Sequence, residues 1–357
     1  MNSLFTPIRL RDLEIRNRVW MPPMCQYHAT DGLPEDWHFV HYGARAAGGY
    51  GLIIAEATGI VPEGRISPAC TGLWNDEQEA AWSRIVSFVH SQGAKMGIQL
   101  NHAGRKASTI PWLPGRGDGS VREGGWETVG PSAVAQEGID PPREMTLEEI
   151  QALPGQFAAA ASRAVRADFD TVELHGAHGY LLHQFLTPLA NHRTDEWGGS
   201  FENRTRLFRA VARAVRGVLP EGMPLLVRLS ATDWIDGAWD LEQSVALASL
   251  LIDDGVDLID VSTGGAANAR IPVGPGFQVE FASEIRRRSG MPTAAVGMIT
   301  EPEQALAIVE SGDADAVLIG RAGLRDPSWA LRAAHETGLD RSEIPYPDSY
   351  WRASWRR

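Results

Sequence analysis

Residues 225–262 read LLVRLSATDWIDGAWDLEQSVALASLLIDDGVDLIDVS. Two short apolar runs, 225–229 and 258–262, flank a stretch, 241–254, in which apolar residues return every three or four positions. Short Val-, Ile- and Leu-rich runs read as buried strands, and the longer periodic stretch reads as an amphipathic helix. The same rhythm extends in both directions. Strands are predicted at 18–21, 52–57, 96–100, 171–175, 293–296 and 316–319, and helices at 39–47, 77–91, 147–167, 202–218, 277–288, 302–311 and 328–336. Strands alternating with helices make a parallel sheet, and eight such units without a long interruption predict an α/β chain closed as a (β/α)8 TIM barrel. The whole chain, 1–357, is expected to form one domain. An open dinucleotide-binding sheet needs Gly-x-Gly-x-x-Gly after an early strand. Here Met21 is followed by Pro22, Pro23, Met24 and Cys25. Ahead of the first strand, Ile8–Leu10 and Leu13–Ile15 flank Arg11 and Asp12, which predicts a hairpin plugging the barrel bottom.

Composition narrows the function. The net charge of −12 argues against a nucleic-acid binder, which needs a basic footprint. The two cysteines, Cys25 and Cys70, cannot furnish a four-cysteine zinc site or an iron–sulfur cluster. No apolar run approaches the length of a membrane span, and the start MNSLFTPIRL lacks the pattern of a signal peptide, so a cytoplasmic setting is expected. The only lysines are Lys95 and Lys106, one at the start of a strand and one in a loop, which leaves no lysine inside the barrel for Schiff-base chemistry. Residues 101–145 form a long Gly-, Pro- and Trp-rich loop after the third strand, on the catalytic side, and are expected to act as a lid. Residues 345–357, PYPDSYWRASWRR, are expected to leave the barrel as an extended arm, because Pro345 and Pro347 stop any helix.

Barrel active sites sit at the C-terminal ends of the strands. Strands seven and eight end in Gly297 and in Gly320-Arg321; glycines admit a close backbone approach and arginine binds phosphate bidentately, so a phosphate is expected there. Arg228 ends an apolar strand and must meet an anion, either a structural carboxylate or the electron-rich edge of a reduced flavin. Glu173 reads as a member of a structural ion pair. His175, His178 and Tyr180 end strand four. Residue chemistry alone leaves three readings for the histidines: a metal site, a satisfied polar pair, or two N–H donors to one carbonyl oxygen with Tyr180 as proton donor.

Several long motifs now align. PMCQY at 23–27, QLNHAGRK at 99–106, ELHGAHGYL at 173–181, NHRTDEWGG at 191–199, VRLS at 227–230, VGM at 296–298 and IGR at 319–321 resemble the Old Yellow Enzyme family, in its bacterial xenobiotic-reductase and thermophilic-like branch. The resemblance implies non-covalent FMN, lined by Pro23, Met24 and Ala57, tuned by Cys25, hydrogen-bonded by Gln99, faced by Arg228, and held at its phosphate by Gly297, Gly320 and Arg321. It implies that His175 and His178 bind the substrate carbonyl, that Tyr180 protonates the α-carbon and that Tyr27 lines the pocket. The implied reaction is an NADPH-dependent ene-reduction. Hydride passes from NADPH to FMN and then to the β-carbon of an activated alkene, both substrates using one stacking site. It implies a homodimer or dimer-based tetramer in which Arg352 of the arm completes the neighbour's pocket. The alternatives are another FMN barrel oxidoreductase, such as a 2-hydroxyacid oxidase, and a metal-dependent hydrolase using the His pair. One departure is Asp168, where relatives carry Gly at a position that commonly needs positive φ.

Overall fold

The computed structural model describes residues 2–355. Eight parallel strands close a barrel in chain order: β1 (Val19–Met21), β2 (Leu52–Gly59), β3 (Lys95–Asn101), β4 (Thr171–Gly176), β5 (Leu225–Ser230), β6 (Leu258–Ser262), β7 (Thr293–Ala295) and β8 (Ala316–Leu318). The helices packed outside are α1 (Asp36–Ala47), α2 (Asp76–Ser91), α3 (Leu147–Arg166), α4 (Phe201–Arg216), α5 (Leu241–Asp253), α6 (Val279–Ser289), α7 (Pro302–Glu310) and α8 (Trp329–Glu336). Local chemistry starts several of them. The Asp240 carboxylate accepts the Gln243 N–H at the head of α5, and a capping box joins Thr146 and Glu149 at the head of α3.

The strand alternation sorts two cores. Ile53, Ala55, Val227 and Val261 face the helices, where Trp82, Phe157, Phe208 and Trp329 are fully buried, each worth about 2–3 kcal/mol of transfer free energy. Their neighbours Leu52, Ile54, Leu226 and Leu258 fill the barrel interior with Trp20. The hairpin of Ile8–Leu10 and Leu13–Ile15 joins that inner cluster through Ile8, Leu10 and Ile15, so it closes the barrel floor as expected. The opposite mouth, at the strand C-termini, is left for chemistry.

Strand and helix boundaries differ from the sequence expectation by a residue or two, three residues at the start of α1. Two short helices, Leu181–Leu186 and Arg321–Arg325, follow β4 and β8 and lie within stretches read as loop. The long loop after β3 carries a 3-10 turn (Gly104–Lys106) and a two-residue pairing of Val129–Gly130 with Arg143–Glu144. Asp168 has φ +68, the left-handed conformation anticipated for it. The arm leaves α8 but is not fully extended. It winds into a 3-10 turn over Asp348–Ala353, held by Arg341, which donates to the Trp351 carbonyl oxygen and stacks over the Trp351 ring. Arg356 and Arg357 lie outside the described residues. Among the described residues no helix is long and apolar enough to cross a membrane.

Candidate active site

The upper layer of the barrel interior is polar. Register places Gln99 beside Glu173, and His175 and Asp260 on either side of Arg228. Gln99 Nε2 donates to Glu173 Oε1 at 2.8 Å, and Arg228 Nε lies 2.9 Å from Asp260 Oδ2. Arg228 thus meets a structural carboxylate and also lines the cleft above it. Glu173, read from sequence as half of an ion pair, instead takes the Gln99 amide as its hydrogen-bond partner. Burial, reinforced by the Asp260 charge, pushes the Glu173 carboxyl well up, and burial lifts Asp260 to about 6 against the pull of Arg228.

Past β4 the chain turns sharply, and three side chains converge. The rings of His175 and His178 lie 5.2 Å apart and those of His175 and Tyr180 4.8 Å apart, each pair edge to face. His175 Nδ1 accepts the Ala177 N–H at 3.3 Å, so a neutral His175 carries its proton on Nε2. His178 Nε2 is 2.7 Å from Ser262 Oγ, and that hydroxyl lies 3.5 Å from Gln278 Oε1, so the ring is held through its Nε2 and its Nδ1 is left without a protein partner. Burial holds both imidazoles well below the ordinary histidine range, with Arg228 adding to the effect, so both are neutral N–H donors. Burial raises Tyr180 well above the usual phenol range, which keeps its proton in place.

The β1 loop lies alongside. Glu56, at a slip in the β2–β3 register, accepts the Gln26 N–H at 3.0 Å and the Tyr42 hydroxyl at 3.3 Å. That anchor fixes the segment bearing Pro23, Met24, Cys25 and Tyr27. Cys25, Tyr27 and Tyr180 pack with Ala57, Cys70 and the loop residue Trp126 in one cluster. The neighbouring Cys70 and burial push the Cys25 thiol up, so it is a protonated, polarisable neighbour.

A cleft of about 280 Å³ opens between the ends of β1, β5, β7 and β8, lined by Pro22, Pro23, Met24, Arg228, Gly297 and Gly320 among others. Arg321 and Arg325 also line it. Gly297 has φ +121, in the left-handed region that disfavours side chains. A Cβ on Gly320 would meet Pro22 and Met24 only at 3.7 and 3.8 Å, so its bare backbone faces the cleft. Apolar residues such as Pro23, Met24 and Val296, the Arg228 cation, two glycines and the two further arginines make a lining that fits a phosphorylated flavin.

The structure therefore brings Pro23, Met24, Arg228, Gly297, Gly320 and Arg321 to one cleft, and Cys25, Tyr27, Ala57, His175, His178 and Tyr180 to the region beside it. Arg352 stays exposed on the arm of the single chain. Sequence reading missed Arg325, which lies four residues after Arg321 and so on the same helical face, a spacing that was open to view. Lys106, Ser230 and Ser262 stand in or beside strand ends in the sequence, but sequence reading gave them no role in the site. Among the described residues no three His, Cys, Asp or Glu side chains converge as a metal site requires, and Ser262 occupies one nitrogen of His178.

Fold and site together define a barrel flavoenzyme. The sequence matches the NADH:flavin oxidoreductase / NADH oxidase family over residues 3–340, and the chain belongs to that family. It is 46% identical to an NADPH dehydrogenase of Listeria monocytogenes, over the whole of both chains. It is 44% identical to one of Bacillus subtilis, over 98% of each. Among solved structures it resembles morphinone reductase, with a TM-score of 0.79, 30% identity and coverage of 98% and 96%. It also resembles an old yellow enzyme homologue from Zymomonas mobilis, with a TM-score of 0.78, 30% identity and coverage of 99% and 100%. The protein is a flavin oxidoreductase with FMN as cofactor and NAD(P)H as reductant.

Proposed function

We propose that the protein is an ene-reductase, which uses NADPH to reduce the carbon–carbon double bond of an α,β-unsaturated carbonyl compound or a similarly activated alkene. The observation that carries this reading is the convergence of two neutral imidazoles and an un-ionised phenol at the barrel mouth that also holds the arginine- and glycine-lined cleft. Bound FMN supplies the hydride carrier, reduced by NADPH and reoxidised by the alkene.

The side chains supply the rest. His175 Nε2–H and the His178 imidazole donate to the carbonyl oxygen and stabilise the negative charge that builds there as the β-carbon gains hydride. Tyr180, its proton retained by burial, protonates the α-carbon. Arg228 sets a permanent cation beside the cleft and favours negative charge at the facing ring edge. Gln99, held by Glu173 through one N–H, keeps its carbonyl oxygen and second N–H free for the ring. Pro23, Met24 and Ala57 line the ring, Cys25 borders it, and Gly297, Gly320 and Arg321 hold the phosphate. Tyr27 lines the substrate side under the loop of residues 101–145, which acts as a lid. The arm is exchanged in a homodimer or dimer-based tetramer, where Arg352 enters the partner pocket. The exposure of Tyr350 and Trp351 on the arm supports this.

The test is a flavin spectrum. The purified protein should be yellow, bleach when NADPH is added without oxygen, and recover its colour with cyclohexenone. A colourless protein that FMN does not reconstitute overturns the reading. Recovery of colour with oxygen after reduction by lactate, and not after NADPH, would identify a 2-hydroxyacid oxidase instead.

A further inference from the structure

The turn that carries His178 is under load. His178 has φ +58, a left-handed conformation that costs a non-glycine residue about 1–2 kcal/mol, and Gly179 follows at φ +74. The loop after β6 presses on it backbone to backbone. A Cβ on Gly265 would stand 2.5 Å from His178 Cα, and one on Gly179 would stand 2.2 Å from the Gly265 carbonyl oxygen. Strained backbone of this kind persists only where its surroundings over-determine it.

Three contacts do so. The His178 N–H donates to Ser230 Oγ at 3.0 Å, and that hydroxyl donates on to the Gly264 carbonyl at 2.8 Å. Ser262 holds the ring. The third contact comes from across the barrel mouth. Lys106 Nζ donates to the His178 carbonyl oxygen at 2.7 Å and to the Gly265 carbonyl oxygen at 3.2 Å, and lies 5.1 Å from the centre of the Tyr180 ring. Among the described residues this ammonium pairs with no carboxylate. Its partners are two carbonyl dipoles and an aromatic face. It ties the loops after β3, β4 and β6 at one point, next to both proposed substrate donors.

We propose that Lys106 is a positioning residue of the carbonyl-binding pair: by clamping the His178 and Gly265 carbonyls it holds His178 in the backbone conformation that aims its ring at the substrate oxygen. The proposal rests on the ene-reductase reading for its kinetic consequence, but the clamp itself is independent of it. A charged clamp also predicts a pH signature. Burial, with Arg105 adjoining, lowers the Lys106 ammonium to about 8. The groups facing it are Arg105 on its own segment and His175, His178 and Tyr180 at the β4 end, with His183 behind them; the β6 loop presents a carbonyl. As pH rises through 8 the ammonium becomes a weaker-donating neutral amine, so the enone KM rises.

The experiment compares holoenzyme variants Lys106→Met and Lys106→Arg by steady-state cyclohexenone kinetics from pH 6.5 to 9 and by crystal structures. Lys106→Met is expected to raise the enone KM about tenfold or more at pH 7, with a smaller loss in anaerobic flavin reduction by NADPH, and to let the His178 peptide leave its left-handed conformation. Lys106→Arg, charged across the range, is expected to recover most of that loss and to remove the alkaline rise in KM. An enone KM in Lys106→Met within twofold of wild type, or a His178 backbone that superimposes on wild type, overturns the proposal. So does equal impairment in both variants. If the wild-type enzyme reduces no enone, the ene-reductase reading fails, while the crystal structure of Lys106→Met still decides whether the clamp exists.

Discussion

At the scale of single residues, the His pair and Tyr180 were legible in the sequence as a group, because ELHGAHGYL places all three just past one strand. Their protonation was not. The His178 ring meets Ser262, and His178 lies in the turn after β4 while Ser262 ends β6, so no local pattern links them. On the proposed reading, replacing His175 or His178 by Ala removes one donor to a developing oxyanion. It is expected to slow reoxidation of the flavin by cyclohexenone roughly 10²-fold, with less effect on reduction by NADPH, as stopped-flow absorbance would record. If neither half-reaction changes, the donor role is wrong. Cys25 makes a different forecast. Its thiol is held protonated beside Cys70 in the cluster with Ala57 and Tyr180, where the proposed reading sets the flavin. Cys25→Ala is therefore expected to retain FMN but shift the reduction potential measured by dye equilibration, moving the two half-rates in opposite directions. An unchanged potential would reduce Cys25 to a packing residue.

At the scale of elements, the eight βα units were readable because strand and helix periods differ and each unit repeats both. What escaped were short pieces whose existence depends on packing: the six-residue helix behind Tyr180 and the five-residue helix after β8. Fewer than two helical turns cannot announce an amphipathic face. The helix after β8 brings Arg325 to the cleft with Arg321. Arg325→Ala is expected to raise the FMN dissociation constant about tenfold or more, as loss of a charge-assisted contact would, measured by quenching of flavin fluorescence on the apoprotein. Asp168 ends α3 in the left-handed conformation, and its largely exposed carboxylate stands 3.5 Å from His90. An exposed pair of this kind contributes little. Relief of backbone strain dominates, so Asp168→Gly is expected to gain about 0.5–1 kcal/mol, read as a small upward shift in melting temperature. A lower melting temperature would mean that the His90 contact outweighs the strain.

At the scale of the whole molecule, the sequence foretold an arm but not its 3-10 turn, since the turn is closed by Arg341 from the segment before it. Tyr350, Trp351 and Trp355 remain 58%, 45% and 40% exposed on the single chain, an aromatic surface that is costly to leave in water. Truncation after Pro347 is expected to leave a yellow, folded barrel with a weaker dimer and an impaired enone KM. A truncated protein that keeps its elution volume and its KM would show that the arm is not shared. At the other end of the barrel, the hairpin seals the floor with Ile8, Leu10 and Ile15 against the inner leucines. A sealed floor gives the flavin a single doorway. On the ene-reductase reading proposed above, coenzyme and alkene queue for it and each blocks the other when in excess: raising NADPH at fixed cyclohexenone is expected first to speed turnover and then to throttle it, and more alkene to lift the block.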